Sequence, residues 1–272
     1  MNYMASVPYY QTLPTLSEQA FGLPNVPVAS SSVLAEHLLG FDETFDLKFL
    51  EEARLPVAVS EWKWPIHAHL KGEVYVLRLP IKRPGECFAI PLELYDLRGL
   101  LILCDTVQRA NDPHYEQKYC YLTVRCGERA TTDTTWHVDG FQAGVRQQLK
   151  RPEVNYVWAD QAPTEFFEGR LCMHEVDPTR DNVHSHLDRQ IQAHQEGNVV
   201  RGQAEGVYAM NPYMPHRKPP HQGFRRFVRV TFCETEIRDD TCASNPCLPM
   251  PTYDNRDVRW QLKEAPGSSG TP

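Results

Sequence analysis

The chain has 272 residues, 41% hydrophobic and 23% charged, a balance typical of a globular protein with a sizeable core. Its formal net charge of −7 argues against a nucleic-acid-binding protein, although a local basic groove is compatible with it. No apolar run reaches the roughly 18 residues that a membrane helix needs, and no signal-like leader stands at the N-terminus. We therefore expect a cytoplasmic protein whose eight cysteines stay reduced.

Helical and strand-like patterns alternate over the first 110 residues. An extended arm is predicted for residues 1–31, which are rich in Pro, Ser and Tyr. Apolar residues at helical spacing predict helices, and alternating apolar residues predict strands. The helices are expected over residues 32–39, 45–52 and 91–108, and the strands over residues 57–64 and 72–79.

Short strands dominate from residue 118 onward. They are predicted over residues 119–125, 134–138, 154–158, 164–167, 207–210 and 227–233. A polar insertion, residues 176–203, interrupts them and carries apolar residues at helical spacing. The Asn-, Asp- and Pro-containing segment 239–272 is expected to form a poorly ordered tail.

This order of elements predicts an α+β fold with a single domain over residues 1–238. Residues 30–110 are expected to form a helical N-terminal support. Residues 118–235 are expected to form a β-rich catalytic core, either a barrel or a sandwich. Residues 239–272 follow this domain as a C-terminal tail.

Three segments carry a His and an acidic residue two positions apart. Residues 186–188 lie in the helical insertion, where positions i and i+2 do not share a face. Residues 114–116 follow the turn signal Asn-Asp-Pro and are expected in a solvated loop. His137 and Asp139 lie at the end of a strand-like run, so both side chains point to one face and can bind the same ion.

His216 is the candidate for a third metal ligand. It follows the predicted strand 207–210 and its turn, whereas the alternative, His221, lies beyond Pro219 and Pro220. Two imidazoles and one carboxylate leave part of the coordination sphere open, as in non-haem Fe(II) oxygenases. A closed zinc site needs a fourth protein ligand, and the sequence offers none in an obvious position.

Two arginines downstream of His216 can bind a carboxylate through paired, charge-assisted hydrogen bonds. Arg226 and Arg229 follow His216 by 10 and 13 residues, and they face opposite sides of one predicted strand. The order His-x-Asp, distant His and downstream Arg resembles the Fe(II)/2-oxoglutarate-dependent dioxygenase superfamily. The resemblance covers about residues 118–235 and consists of these few positions in a strand-rich context.

This resemblance implies a double-stranded β-helix, a jelly roll of the cupin type. It implies that His137, Asp139 and His216 hold Fe(II), and that 2-oxoglutarate and O₂ are the cosubstrates. Succinate and CO₂ would be released as a substrate C–H bond is oxidised. Halogenating relatives replace the carboxylate ligand with a small residue, so Asp139 favours hydroxylation, desaturation or cyclisation.

The resemblance also implies that an arginine binds the distal carboxylate of 2-oxoglutarate. We expect Arg229, because Arg229-Val230-Thr231 is similar to an Arg-x-Ser signature of some members, and Thr231 would assist it. Arg226 is the alternative, and Tyr121 is a further candidate for a cosubstrate contact. Arg225 is expected to face solvent.

The substrate is expected to be a small molecule, with Phe141, Gln142 and Trp158 as candidate contacts. The insertion 176–203 is either a lid over the iron or a surface decoration. Two alternatives stay open. The same chemistry could act on a protein or a nucleic acid, or the chain could be a non-catalytic, cupin-like binding module. No pattern indicates the oligomeric state.

Overall fold

A computed structural model describes residues 47–66, 68, 70, 72–128, 134–139, 153–177, 180–193, 199–237, 242–248 and 261–263. The strands are β1 (Glu52–Ala53), β2 (Val57–Glu61), β3 (Glu73–Lys82), β4 (Tyr119–Gly127), β5 (Glu153–Ala159), β6 (Glu165–Phe167), β7 (Gly169–Arg170), β8 (Val199–Arg201), β9 (Gly206–Met210), β10 (His216–Arg217), β11 (Arg225–Cys233) and β12 (Gln261–Lys263). The α-helices are α1 (Arg98–Asn111) and α2 (Val183–Ala193), and short 3-10 helices cover Leu47–Leu50, Leu92–Leu97 and Tyr115–Gln117.

Antiparallel β-sheet dominates the described part of the chain. A seven-stranded sheet has the order β12-β3-β4-β11-β5-β9-β2, a three-stranded sheet the order β10-β6-β8, and β1 pairs with β7. Strand β11 is central, because it pairs along its length with β4 on one side and β5 on the other. Residues far apart in the sequence are therefore brought together on the two faces of this sheet.

One face of the seven-stranded sheet forms the main apolar core. Val228, Val230 and Phe232 of β11 point to this face, as expected for alternate residues of a strand. The buried Leu100, Leu101, Cys104 and Val107 of α1 belong to the same core. Each large apolar side chain buried here stabilises the fold by about 1.5–3 kcal/mol relative to its exposed state.

A second apolar cluster lies under the segment that precedes the candidate metal ligands. Trp136 and Val138 are buried in it together with Leu187 and Ile191 of α2. The side chain of Asp188 accepts a hydrogen bond from the backbone N–H of Trp136 at 3.0 Å. The described part of the insertion 176–203 thus packs against the segment that carries His137.

Several predicted elements differ from the observed ones. The described part of the helix expected over residues 45–52 is a single 3-10 turn followed by β1, and the described segment 134–138 pairs only through His137. The described part of the expected helical support, residues 30–110, also contributes β2 and β3 to the large sheet. Alternating apolar residues in β3 bury one face of that strand, which makes it part of the core.

Residues 242–248 of the predicted C-terminal tail pack against the domain. Ala243 belongs to the main core, and the Asn245 side chain donates hydrogen bonds to the carbonyl oxygens of Pro80 and Ala89 at 2.7 and 2.8 Å. The predicted helix 32–39 lies outside the described residues. Within the described residues, no helix combines the length and apolar character needed to cross a bilayer.

Candidate metal centre

His137 and His216 are joined by a short antiparallel bridge. The N–H of His137 donates to the carbonyl oxygen of His216 at 3.0 Å, and the N–H of His216 donates back at 2.9 Å. Residues paired in this way project their side chains to the same face. The ring centroids of the two imidazoles consequently lie 4.4 Å apart.

Asp139 completes a group of three potential metal ligands. One donor atom from each of His137, Asp139 and His216 lies within 4.8 Å of the other two, and Asp139 Oδ2 is 3.8 Å from His216 Nε2. Ligands bound at about 2.1 Å from one ion lie roughly 3–4 Å apart, so small side-chain movements would bring all three donors onto one ion. No fourth His, Cys, Asp or Glu donor joins this group among the described residues.

Hydrogen bonds fix which imidazole nitrogen is available in each histidine. The Nδ1 atom of His137 lies 3.0 Å from the carbonyl oxygen of Thr135, and that of His216 lies 2.9 Å from the carbonyl oxygen of Met214. A carbonyl oxygen only accepts hydrogen bonds, so Nδ1 carries the proton in both rings. The lone pair therefore resides on Nε2, where it can bind a metal ion.

Both carboxylate oxygens of Asp139 have protein partners. Arg229 Nη1 donates to Oδ1 at 2.7 Å, and Asn155 Nδ2 donates to Oδ2 at 2.9 Å. The Asn155 side chain is held in turn by Thr231 Oγ1, which donates to it at 2.5 Å, and by Glu153, which accepts from it at 3.1 Å. Each carboxylate oxygen has two lone pairs, so Asp139 can still bind a metal ion.

The surroundings set the charge states that a metal ion requires. Burial alone would raise the pKa of Asp139, but Arg229, His216 and His137 together hold that pKa well below its ordinary value. Burial and the neighbouring His137 lower the pKa of His216 to about 4. At neutral pH the carboxylate is therefore charged and the His216 imidazole is neutral, as metal binding demands.

The donor set fits a divalent transition metal that keeps positions for small ligands. Two imidazole nitrogens and one carboxylate suit iron, and the described residues supply no fourth donor to close a zinc site. The buried Nε atom of Arg229 has no hydrogen-bond partner among the described residues. An unsatisfied guanidinium N–H beside the three ligands suits an anionic ligand bound at the metal.

A cavity of about 300 Å³ opens beside this centre. Its wall includes His137, His216 and Arg229, and basic side chains outnumber acidic ones. Glu73 is the single acidic residue of the described wall, against Arg125, Arg217, Lys218, Arg225 and Arg229. The cavity is therefore suited to anionic small molecules.

Arg226 and Arg229 lie on opposite faces of β11. Arg229 lines the cavity, whereas Arg226 forms an ion pair with Asp160 at 3.0 Å and stacks near Trp64. Arg225 also differs from the expectation that it faces solvent. It is only 7% exposed and lines the cavity, because it shares the face of Arg229 four residues away.

Three other candidate residues lie away from the wall of the cavity. The Thr231 hydroxyl binds Asn155, and the Tyr121 hydroxyl accepts a hydrogen bond from the backbone N–H of Ile237 at 2.8 Å. Trp158 is on the core face of the sheet, where it packs against Trp62 and donates to its carbonyl oxygen at 2.7 Å. The Thr231 and Tyr121 hydroxyls are thus engaged by protein partners, and the Trp158 side chain points to the opposite face of the sheet from Arg229. The roles predicted for these three residues stay predictions.

Phe141 and Gln142 lie outside the described residues. Four residues of this site carry no signal in the sequence that marks them as functional: Glu153, Asn155 and the basic residues Arg125 and Lys218. Asn155 and Arg125 sit in predicted strands, and only the pairing of β4, β5 and β11 shows that they face the same side as Arg229.

No family model matches the sequence, and no curated protein matches it. Among solved structures, EvdO2 from Micromonospora carbonacea var. aurantiaca complexed with 2-oxoglutarate is similar over 75% of this chain and 96% of its own, with 17% identity and a TM-score of 0.38. HygX from Streptomyces hygroscopicus with nickel and 2-oxoglutarate bound is similar over 42% of this chain and 54% of its own, with 10% identity and a TM-score of 0.22.

EvdMO1 is similar over 50% of this chain and only 32% of its own length, with 17% identity and a TM-score of 0.32. The aligned part thus spans about a third of that protein. Similarity at these TM-scores does not establish a shared fold. The functional assignment of this chain therefore depends on the geometry of its own residues.

Proposed function

We propose that the chain is a non-haem Fe(II)- and 2-oxoglutarate-dependent oxygenase that oxidises a C–H bond of a small molecule. The observation that carries this proposal is the convergence of His137, Asp139 and His216 on one point beside a cavity. His137, His216 and Arg229 line this cavity, and Arg229 holds Asp139 next to it. The cavity of about 300 Å³ falls at the lower end of the range for small-molecule sites. The proposed jelly-roll fold is compatible with the antiparallel sheets.

His137 and His216 would bind Fe(II) through Nε2, and Asp139 would bind it through one carboxylate oxygen. When bound, the iron supplies the activation of O₂. The protein residues set the charge of the site, because Arg229 and Asn155 keep Asp139 ionised and fixed in orientation. The carbonyl oxygens of Thr135 and Met214 keep both imidazoles in the tautomer that binds a metal.

Arg229 would also bind a carboxylate of 2-oxoglutarate. Its Nη1 atom is engaged by Asp139, but its buried Nε–H has no partner among the described residues and can donate to an anion in the cavity. In the hydroxylation, the two electrons released by decarboxylation of 2-oxoglutarate and two from the substrate C–H bond reduce O₂. One oxygen atom enters succinate, the other enters the product, and the third product is CO₂.

An anaerobic titration of the protein with Fe(II) and 2-oxoglutarate tests this proposal. We expect a weak visible charge-transfer band, which reports a keto acid chelated to an iron with open positions. His137→Ala and Asp139→Ala should each weaken metal binding by more than about 100-fold, because each removes a ligand from a set of three. Turnover of 2-oxoglutarate to succinate should be lost with it.

Arg229 and Arg226 offer a matched pair for the same titration. Arg229→Gln should weaken 2-oxoglutarate binding by about tenfold or more, because it removes a charged donor beside the metal. Arg226→Gln changes the same charge on the opposite face of β11 and should leave that affinity unchanged. A folded protein that binds Fe(II) but gives no band with 2-oxoglutarate would instead indicate a non-catalytic binding module.

A further inference from the structure

Three basic side chains form a second charged group in the cavity wall, apart from Arg229. Arg125, Lys218 and Arg225 all line the cavity. The other two basic residues of the wall are paired, because Arg229 binds Asp139 at 2.7 Å and Arg217 binds Glu165 at 2.8 Å. Within the described parts of the chain, no ion pair joins Arg125, Lys218 or Arg225 to an acidic residue. Glu73, the acidic residue of the same wall, does not pair with them either.

The sheet places two of these side chains on one face. Arg125 of β4 is opposite Phe227 of β11, and Arg225 is opposite Gly127, so all four positions share the face of Arg229. Lys218 directly follows β10, on the side of the cavity formed by the three-stranded sheet. Basic groups from both sheets therefore converge on the same space.

Both arginines are held in place by neutral contacts. Arg225 Nε donates to the carbonyl oxygens of Gln161 and Ala162 at 3.1 and 3.0 Å, and its guanidinium lies 5.0 Å from the centre of the Phe227 ring. The guanidinium of Arg125 lies 5.6 Å from the centre of the Tyr75 ring. These contacts orient the positive charges without neutralising them.

The surroundings of Arg225 and Arg125 disfavour their positive charge. Burial lowers the pKa of Arg225 to about 10; the charge of Asp160 opposes this effect, and the nearby charge of Arg125 adds to it. The pKa of the partly exposed Arg125 is also lowered, because the desolvation of its guanidinium and the repulsion from Arg229 outweigh the opposing effect of Tyr75. A bound anion would offset both the burial of these charges and their mutual repulsion.

We propose that Arg125, Lys218 and Arg225 form an anion-binding site, separate from the metal centre, for a carboxylate or phosphate group of a small molecule. Two guanidinium groups and an ammonium group around one cavity suit the several oxygen atoms of such an anion. The anionic group belongs either to the oxidised substrate or to the distal end of the keto acid. The anion site itself does not depend on the proposed oxygenase activity.

Calorimetric titration with inorganic phosphate tests the site without any metal, on protein that has been treated with EDTA and then dialysed free of it. The double variant Arg125→Gln/Lys218→Gln should bind phosphate at least about tenfold more weakly than the unmodified protein, because two charged donors are removed. The double variant Arg170→Gln/Arg189→Gln removes the same charge from exposed positions outside the cavity wall and should change the affinity less than about twofold.

Arg125→Gln alone provides a second variant, because the partly exposed Arg125 has no ion-pair partner among the described residues, so its removal leaves no acidic partner unpaired. Phosphate binding should persist in His137→Ala, which separates this site from the metal centre. Absence of phosphate binding by the unmodified protein would overturn the proposal. Equal affinity of the unmodified protein and a folded double variant would overturn it as well.

Anaerobic titrations of the Fe(II)-loaded protein then identify the source of the anion. If the keto acid supplies it, the double variant loses affinity for 2-oxoglutarate but not for 2-oxobutyrate, which lacks the distal carboxylate. If the oxidised substrate supplies it, the double variant binds both keto acids normally, and phosphate still binds to the unmodified protein saturated with 2-oxoglutarate.

Discussion

The two faces of β11 divide the molecule into a chemical side and a structural side. Arg225, Phe227 and Arg229 point to the cavity, whereas Val228, Val230 and Phe232 point to the apolar core beneath α1. The faces differ because strand residues alternate, although neighbouring residues share the same backbone hydrogen bonds with β4 and β5. Charged groups can therefore accumulate beside the metal centre while the opposite face supplies the stability of the sheet.

Phe232→Ala should show the largest effect on stability, and Phe227→Ala is its matched control. Phe232 is 1% exposed and packs in the core against Phe88 and Tyr156, so its truncation should destabilise the protein by about 3–5 kcal/mol. Phe227 is half-buried in the cavity wall, and its truncation should cost less than half of that amount. Chemical denaturation measures both changes.

Fe(II) affinity is the second measurement that separates the two faces of β11. Phe232→Ala should bind Fe(II) as tightly as the unmodified protein under conditions where both are folded, because Phe232 does not contact the ligands. Equal losses of stability in the two variants would contradict the division between the faces. So would a loss of Fe(II) affinity that is confined to folded Phe232→Ala.

The alternation of side chains explains how much of the site the sequence predicts. This rule predicts that His137 and Asp139 share a face, and His216 is predicted from its position after a strand. It also puts Arg226 and Arg229 on opposite faces, but the choice of Arg229 depends on the resemblance to an Arg-x-Ser signature. Arg225 is four residues from Arg229 and therefore lies on the same face of the strand, which contradicts the expectation that it faces solvent. The preference for Arg229 over Arg226 as the cosubstrate ligand stays a prediction.

The residues of the site that the sequence does not predict are positioned by strand pairing and helix packing. Asn155 is one polar residue in the predicted strand 154–158, and only its register opposite Thr231 directs it to Asp139. Asp188 was set aside as a metal ligand, and its hydrogen bond to Trp136 depends on how α2 packs. Long-range pairing of this kind leaves no local periodicity in the sequence, so it could not be predicted.

His216 should make the stability of the metal-free protein depend on pH. Its pKa is lowered to about 4 in the folded protein, so the unfolded chain binds the proton first as the pH falls below the ordinary value of about 6.5. The stabilisation is complete above about pH 6.5 and is lost as the pH falls to about 4, at a total cost on the order of 3 kcal/mol.

Urea unfolding of the metal-free protein between about pH 7.5 and pH 4.5 measures this dependence. His216→Asn should show a shallower decline in unfolding free energy than the unmodified protein. The lowered pKa of Asp139 acts in a different window, because its contribution is lost only below the ordinary carboxylate pKa of about 3.9. Parallel pH profiles for the two proteins would show that His216 titrates normally in the fold.

Asn155→Ala and Thr231→Val should separate orientation of the metal carboxylate from simple packing. Asn155 contacts Asp139 directly, so its truncation should weaken Fe(II) binding by about 10–100-fold. Thr231→Val removes only the hydrogen bond that orients Asn155, and we expect a loss of about two- to fivefold. Because both residues lie near the metal ligands but are not ligands themselves, a graded loss of Fe(II) affinity would identify them as positioning residues.

Two outcomes would contradict this assignment. Unchanged affinity in folded Asn155→Ala would mean that Arg229 alone is sufficient to orient the carboxylate. A larger loss in Thr231→Val than in Asn155→Ala would contradict the order of contacts from Thr231 through Asn155 to Asp139.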